Sequence, residues 1–171
     1  GNSGAVMVAS LLNIGRINGV LIPAIAVPFP TEKGYTLLLD AGANMDSKPI
    51  NLLQFAIMGT IYMKNWYNIE NPTVSILSIG EEETKGNNLV IETIPLLKNC
   101  SLINYRGTVE GRDIPHGVSD VVVCDGFTGN IVLKLSEGLA KALFTFIKNE
   151  IGSNIINKLG ALMLKKVFKM I

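Results

Sequence analysis

A chain of 171 residues with 48% hydrophobic and 17% charged side chains is sized for one domain, or a large part of one, and is too apolar to be disordered. Its 15 Lys and Arg against 14 Asp and Glu leave a net charge of +1, which offers no field for a nucleic acid backbone. Two cysteines, Cys100 and Cys124, cannot build a disulfide framework; with no C-x-x-C pair and no histidine cluster, the common metal sites are excluded and a reducing compartment fits.

The chain opens on Gly-Asn-Ser-Gly, which reads as a turn leading into a helix over 5–16, and no basic and apolar leader pattern follows it. A glycine-rich turn at the first residue has no strand in front of it, so the chain is expected to be an interior piece of something longer. Residues 21–27 and 35–39 read as strands, joined by a connection through Pro28, Pro30 and Gly34. The most apolar stretch, 20–29, is broken by Pro23 and Pro28 and falls short of the ~18 residues a bilayer span requires. A long helix is expected from Pro49 to about Trp66, with Leu52, Leu53, Ala56, Ile57 and Ile61 on one face. Strand 73–79, helix 88–97, strands 102–105 and 120–124, and a helix over 130–151 follow. The strands are continuous apolar runs, as a sheet covered on both faces requires. The expected class is α/β, a single domain built on a mainly parallel sheet.

Residues 152–171 read as a basic amphipathic helix. Ile156, Leu159, Met163, Val167 and Met170 share one side, whereas Lys158, Lys165 and Lys169 lie on another. Residues 151–171 carry four lysines and no acid, so the preceding 150 residues, with 11 basic and 14 acidic side chains, are net −3. Such a tail suits either a core or dimer helix with snorkelling lysines or contact with a membrane surface.

In a parallel sheet, ligands collect where strands end and helices begin. Four such turns combine Gly with Asn: GNSGA (1–5), LLLDAGAN (37–44), SIGEEETKGN (78–87) and VVCDGFTGN (122–130). Glycine lets backbone amides approach an anion, and asparagine donates without repelling it. Any one of these turns is explained by the need for positive φ; four on one edge point to an oxyanion or phosphate site. Lys85, between three glutamates and Gly86-Asn87, is the point charge suited to phosphate. Glu81–Glu83 serve equally as a solvated run. Neither a Walker A loop nor a G-x-G-x-x-G signature appears, so no nucleotide cofactor is expected. His116 is a loop residue, and Asp125 beside Cys124 disfavours a thiolate there.

On these turns the sequence resembles the bacterial phosphate acyltransferase family PlsX, through GNSGA, GRINGV (15–20), LLLDAGAN, LLQFAIMG (52–59), IGEEETKGN (79–87), VEGRDI (109–114) and SDVVVCDGFTGNIVLKLSEG (119–138). The chain is about half the family's length. The resemblance implies a three-layer α/β/α fold similar to isopropylmalate dehydrogenase and phosphotransacetylase. It implies an enzyme that moves a fatty acyl group from acyl carrier protein to inorganic phosphate, forming acyl phosphate for phospholipid synthesis. It also implies a homodimer in the cytoplasm, attached peripherally to the membrane, which favours the membrane role for 155–171. With those substrates no enzyme nucleophile is needed, and the developing charge must be met by fixed donors. Lys85 is expected to orient phosphate and stabilise the tetrahedral oxyanion, and Asn130 to donate to the carbonyl or phosphate oxygen. Backbone amides of Gly1, Asn2, Ser3 and Gly4 would complete an anion nest, with Gly86 and Gly129 allowing close approach. Asn44 and Asn87 are either phosphate ligands or turn residues. Competing readings are acyl exchange between coenzyme A and phosphate, and a fragment that only dimerises or binds a membrane.

Overall fold

The computed structural model describes residues 2–153 and 155–164, with side chains from Gly4 onward. Its elements are α1 (Asn2–Asn13), β1 (Val27–Thr31), β2 (Gly34–Leu39), α2 (Pro49–Tyr67), β3 (Thr73–Leu77), α3 (Asn88–Lys98), β4 (Asn104–Val109), a 3-10 segment (Gly111–His116), β5 (Val121–Val123), α4 (Gly126–Gly152) and α5 (Ile155–Met163). The chain divides into two compact units, Gly1–Val132 and Leu133–Ile171.

The first unit holds a five-stranded sheet in the order β1-β2-β5-β3-β4. Three neighbouring pairs are parallel, and only the β1–β2 hairpin is antiparallel. Alternation along the strands divides the core. Leu37 and Leu39, Val121 and Val123, and Val74 and Ile76 face Leu52, Phe55 and Met63 of α2 and Val90, Ile94 and Leu97 of α3. On the opposite face Leu38, Val122 and Leu77 pack with Val109, Ile114 and Cys124, flanked by Phe29 and Val132. The fold is mixed α/β, a mostly parallel sheet flanked by helices, as expected.

Two strands lie elsewhere than the sequence suggests. Residues 21–26 are irregular, and the edge strand is β1, which runs through Pro28 and Pro30. Both prolines are exposed and alternate with half-buried Val27, Phe29 and Thr31, so a residue without an amide proton is tolerated at this edge. β4 starts two residues later than expected and continues to Val109. It passes a bulge where Val74 pairs with Tyr105 and Ile76 with Thr108, and the extra residue is absorbed at Gly107, φ 103°.

The helices differ at their ends. α1 starts at Asn2 and stops before Gly15, φ 84°, whose amide closes on the Ser10 carbonyl. α4 begins four residues before the expected Asn130, because Asp125 caps it: the Thr128 amide donates to Asp125 Oδ1 at 2.8 Å and the Thr128 hydroxyl to Oδ2 at 2.8 Å. In the second unit, the Asn157 amide on α5 donates to the Glu150 carbonyl at 2.9 Å near the end of α4. Of the basic helix expected over 152–171, Lys158 falls on α5. Lys165, Lys166, Val167, Lys169 and Met170 lie outside the described residues. No helix among the described residues is long and apolar enough to cross a membrane.

Candidate functional site

The carboxyl end of β2 is organised by Asp40, which is fully buried. Its Oδ1 accepts from the backbone amides of Ile25 (3.1 Å), Gly42 (3.0 Å) and Ala43 (2.8 Å). Its Oδ2 accepts from the backbone amide (2.7 Å) and carboxamide (2.8 Å) of Asn44. One side chain thus satisfies donors that a tight loop cannot pair within itself. The Asn44 carboxamide also donates to the Pro23 carbonyl at 2.6 Å, so it braces the loop from within.

That loop packs directly on the start of α4. The Gly126 amide donates to the Asn44 carbonyl at 2.8 Å, and a Cβ on Gly126 would lie 2.6 Å from the same oxygen. A Cβ on Gly129 would overlap the Asp40 carbonyl and approach Cys124 Sγ to 3.0 Å. Glycine at 126 and 129 is therefore what lets the two strand ends meet. A Cβ on Gly42, φ 129°, would touch the Asn130 side chain at 3.3 Å, which places the half-buried Asn130 against the β2 loop.

The third loop, 78–87, is held by its own bonds. The Ser78 hydroxyl donates to the Lys85 carbonyl at 3.0 Å, and Gly86, φ 122°, turns the chain into α3. Asn87 caps that helix, accepting from the Val90 amide at 3.0 Å. The Lys85 ammonium pairs with Glu82 at 2.9 Å, with both side chains exposed. The hydrogen bond from Lys85 is the main cause lowering the Glu82 pKa, and the hydrogen bond to Glu82 the main cause raising that of Lys85, so the lysine is charged at neutral pH. Of the acidic run, Glu83 pairs with Lys98 at 2.6 Å, and the Glu81 carbonyl accepts from the Thr108 hydroxyl at 2.6 Å.

Between the β3 and β5 loops lies a cleft of about 370 Å³. Ser78, Gly86 and Asn87 form one side and Asp125 and Thr128 the other, over Leu52, Leu77 and Val90. The structure thus brings Gly86 and Asn87 to the same cleft as the start of α4. Lys85 and Asn130 adjoin it without lining it; the Lys85 ammonium pairs with Glu82, and Asn130 lies beside the β2 loop at Gly42. Gly4 is exposed with nothing near its Cβ position, the side chains of Asn2 and Ser3 are not described, and Gly1 lies outside the described residues. Gly4 does not line the cleft.

The two helix starts facing this cleft differ in charge. Asp125 places a carboxylate at the N-terminus of α4, where it already answers the helix dipole. α3 is capped by a neutral carboxamide and has no acid in its first turn, and Lys85 stands two residues before its cap. An anion is therefore better accommodated at the start of α3. Sequence reasoning missed Asp40 and the Asp125–Thr128 cap; the D-x-x-T spacing at 125–128 was a readable signal for the second. No group of three His, Cys, Asp or Glu side chains among the described residues is placed to hold a metal ion.

Comparison with known proteins places these loops in context. A family model described as "Fatty acid synthesis protein" matches residues 1–171. A phosphate acyltransferase from Elusimicrobium minutum is 61% identical over 98% of this chain and 49% of its own length. One from Geotalea daltonii is 54% identical over 98% of this chain and 48% of its own. The chain thus spans about half the length of the curated relatives it matches. Among solved structures, the EutD phosphotransacetylase from Staphylococcus aureus superposes with a TM-score of 0.60 at 15% identity, covering 77% of this chain and 46% of that one, a likeness of fold.

Proposed function

The chain belongs to the fatty acid synthesis protein family, and from that membership we propose that it carries the phosphate-handling loops of a phosphate acyltransferase, which transfers a fatty acyl group from acyl carrier protein to inorganic phosphate. A phosphate oxygen attacks the thioester carbonyl, the oxyanion of the tetrahedral intermediate is met by fixed donors, and the C–S bond breaks to release the carrier's thiol and acyl phosphate. The observation that carries this reading is the cleft in which the neutral start of α3, with Gly86 and Asn87, faces the loop that the Asp40–Asn44 turn holds in place.

In this reading phosphate sits against the first amides of α3. Lys85 leaves its exposed partner Glu82 and turns onto the phosphate, an exchange with little resistance because solvent screens an exposed ion pair. Asn130, held beside Gly42, donates to the thioester oxygen, while Gly129 allows the close approach of strand ends that sets its position. Asn44 braces this geometry. The amides of Gly1–Gly4 are assigned to the same anion as part of the proposal. A homodimer, a cytoplasmic setting and peripheral membrane contact through 155–171 accompany the reading. Ile155, Ile156, Leu159 and Met163 on α5 are all exposed, as a helix that lies on lipid requires.

The test is phosphate-dependent release of free carrier protein from a long-chain acyl carrier protein, with acetyl-coenzyme A as the competing donor. It is run on this chain and on a full-length relative carrying the same substitutions. Lys85→Ala and Asn130→Ala are each expected to lower turnover by ~10²-fold or more, the loss typical of one oxyanion donor. Near-normal turnover by a folded variant removes that residue from the mechanism, and preference for acetyl-coenzyme A replaces the proposed donor.

A further inference from the structure

A cavity of about 710 Å³ lies away from the cleft, between α1, residues 14–26, β2 and α2. Its floor is Leu37 and Leu39, on one face of β2, with Met58 and Tyr62 one turn apart on α2. Met7, Leu11 and Ile14 of α1 form a wall. Of the seventeen described residues that line it, only Ser10, Arg16 and Tyr62 bear polar nitrogen or oxygen atoms in their side chains, and Arg16 donates to the Leu21 carbonyl. Val6, Ile14 and Ile17 at this site are 65%, 86% and 73% exposed. A space this large and so poor in hydrogen-bonding groups selects an apolar ligand.

Its position says which one. Pro23 and Ile25, which line the cavity, are bonded to the loop described above: the Ile25 amide to Asp40 Oδ1 at 3.1 Å, the Ala41 amide to the Ile25 carbonyl at 2.9 Å, and the Asn44 carboxamide to the Pro23 carbonyl at 2.6 Å. On the opposite side of that loop, a Cβ on Gly42 would lie 3.3 Å from the Asn130 side chain. The cavity and the proposed carbonyl donor thus share one short, rigid loop as a common wall. We propose that this cavity receives the hydrocarbon chain of the acyl substrate, with its carbonyl end emerging past the Asp40–Asn44 loop towards Asn130. This assignment rests on the acyl-transfer reading and adds the place where the chain is held.

Equilibrium dialysis with labelled palmitate tests it, using this chain and the variants Ser10→Trp and Ala26→Trp. Both positions line the cavity and are exposed, so the indole fills the space without entering the core. Palmitate is expected to bind the unaltered chain and to lose affinity by ~10-fold or more in each variant, a loss worth about 1.4 kcal/mol, with an unchanged melting midpoint. Failure of palmitate to bind, or equal affinity in all three proteins, overturns the assignment. So does a change of oligomeric state in the variants with palmitate affinity intact, which gives the cavity to a second copy of the chain. The two readings fail separately. Palmitate bound in the cavity, with no phosphate-dependent transfer by this chain or by the full-length relative, refutes the enzyme activity and leaves the cavity an apolar ligand site. Transfer with palmitate binding untouched by the tryptophans refutes only the cavity.

Discussion

The thiol of Cys124 is 3% exposed, and its Sγ lies 3.6 Å from the Asp40 carbonyl. Burial is the main cause raising its pKa, followed by the charges of Asp125 and Asp40, so the folded protein keeps it protonated into strongly alkaline solution. An unfolded thiol titrates near pH ~8.5, and above that the unfolded chain releases a proton that the folded one retains. Stability therefore falls as pH rises beyond that point, by up to about 1.4 kcal/mol per pH unit from this group. Urea unfolding between about pH 8 and 10 checks this: the midpoint is expected to drop in the unaltered chain and to drop less steeply in Cys124→Ala. An identical slope in both would assign the alkaline loss to other groups. Tyr105, raised to about 12 chiefly by burial, acts in the same sense at higher pH. A thiol held in this way is not a nucleophile, which agrees with the proposed direct attack of phosphate on the thioester.

At the scale of elements, the start of α3 combines a stability role with the proposed binding role, and the two are separable at Asn87. Aspartate caps as well as asparagine but repels phosphate, so Asn87→Asp is expected to keep the melting midpoint while raising the KM for phosphate by ~10-fold or more. An unmoved KM would leave Asn87 a cap alone. α2, β3 and α3 were legible because their signals are local: Pro49 at a first helical turn, a short run rich in β-branched and apolar residues at 73–77, and Asn87 before an amphipathic stretch. β1 was not, because two prolines argue against a strand until the tertiary fold makes it an edge. The true start of α4 was hidden for a related reason: Gly126 and Gly129 look like turn residues, yet they serve helix-to-loop contact with Asn44 and Asp40. Asp40 escaped notice because two of its bonded segments, at Ile25 and Gly42–Asn44, meet only once the chain is folded. The sequence points to Lys85 and Asn130 as a converging pair; the loops before α3 and α4 meet at one cleft, while the Lys85 ammonium pairs with Glu82 and Asn130 packs beside the β2 loop.

For the molecule as a whole, the sheet unit and the helical unit carry different parts of the proposal. Deleting residues 155–171 leaves every strand in place, so vesicle flotation with and without them isolates the membrane role. Binding to anionic vesicles is expected to be lost with the deletion, and equal flotation would leave α5 to dimerisation or packing. The sheet unit carries the more basic claim, that loops after β2, β3 and β5 form one oxyanion site. Crystals of the chain soaked in arsenate, a phosphate stand-in with its own anomalous scattering, address this directly. The predicted result is an anomalous peak at the start of α3, within hydrogen-bonding reach of its first amides and Asn87, with the Lys85 ammonium turned from Glu82 towards it. Occupied arsenate found only elsewhere on the molecule, with the Lys85–Glu82 pair intact, would contradict it.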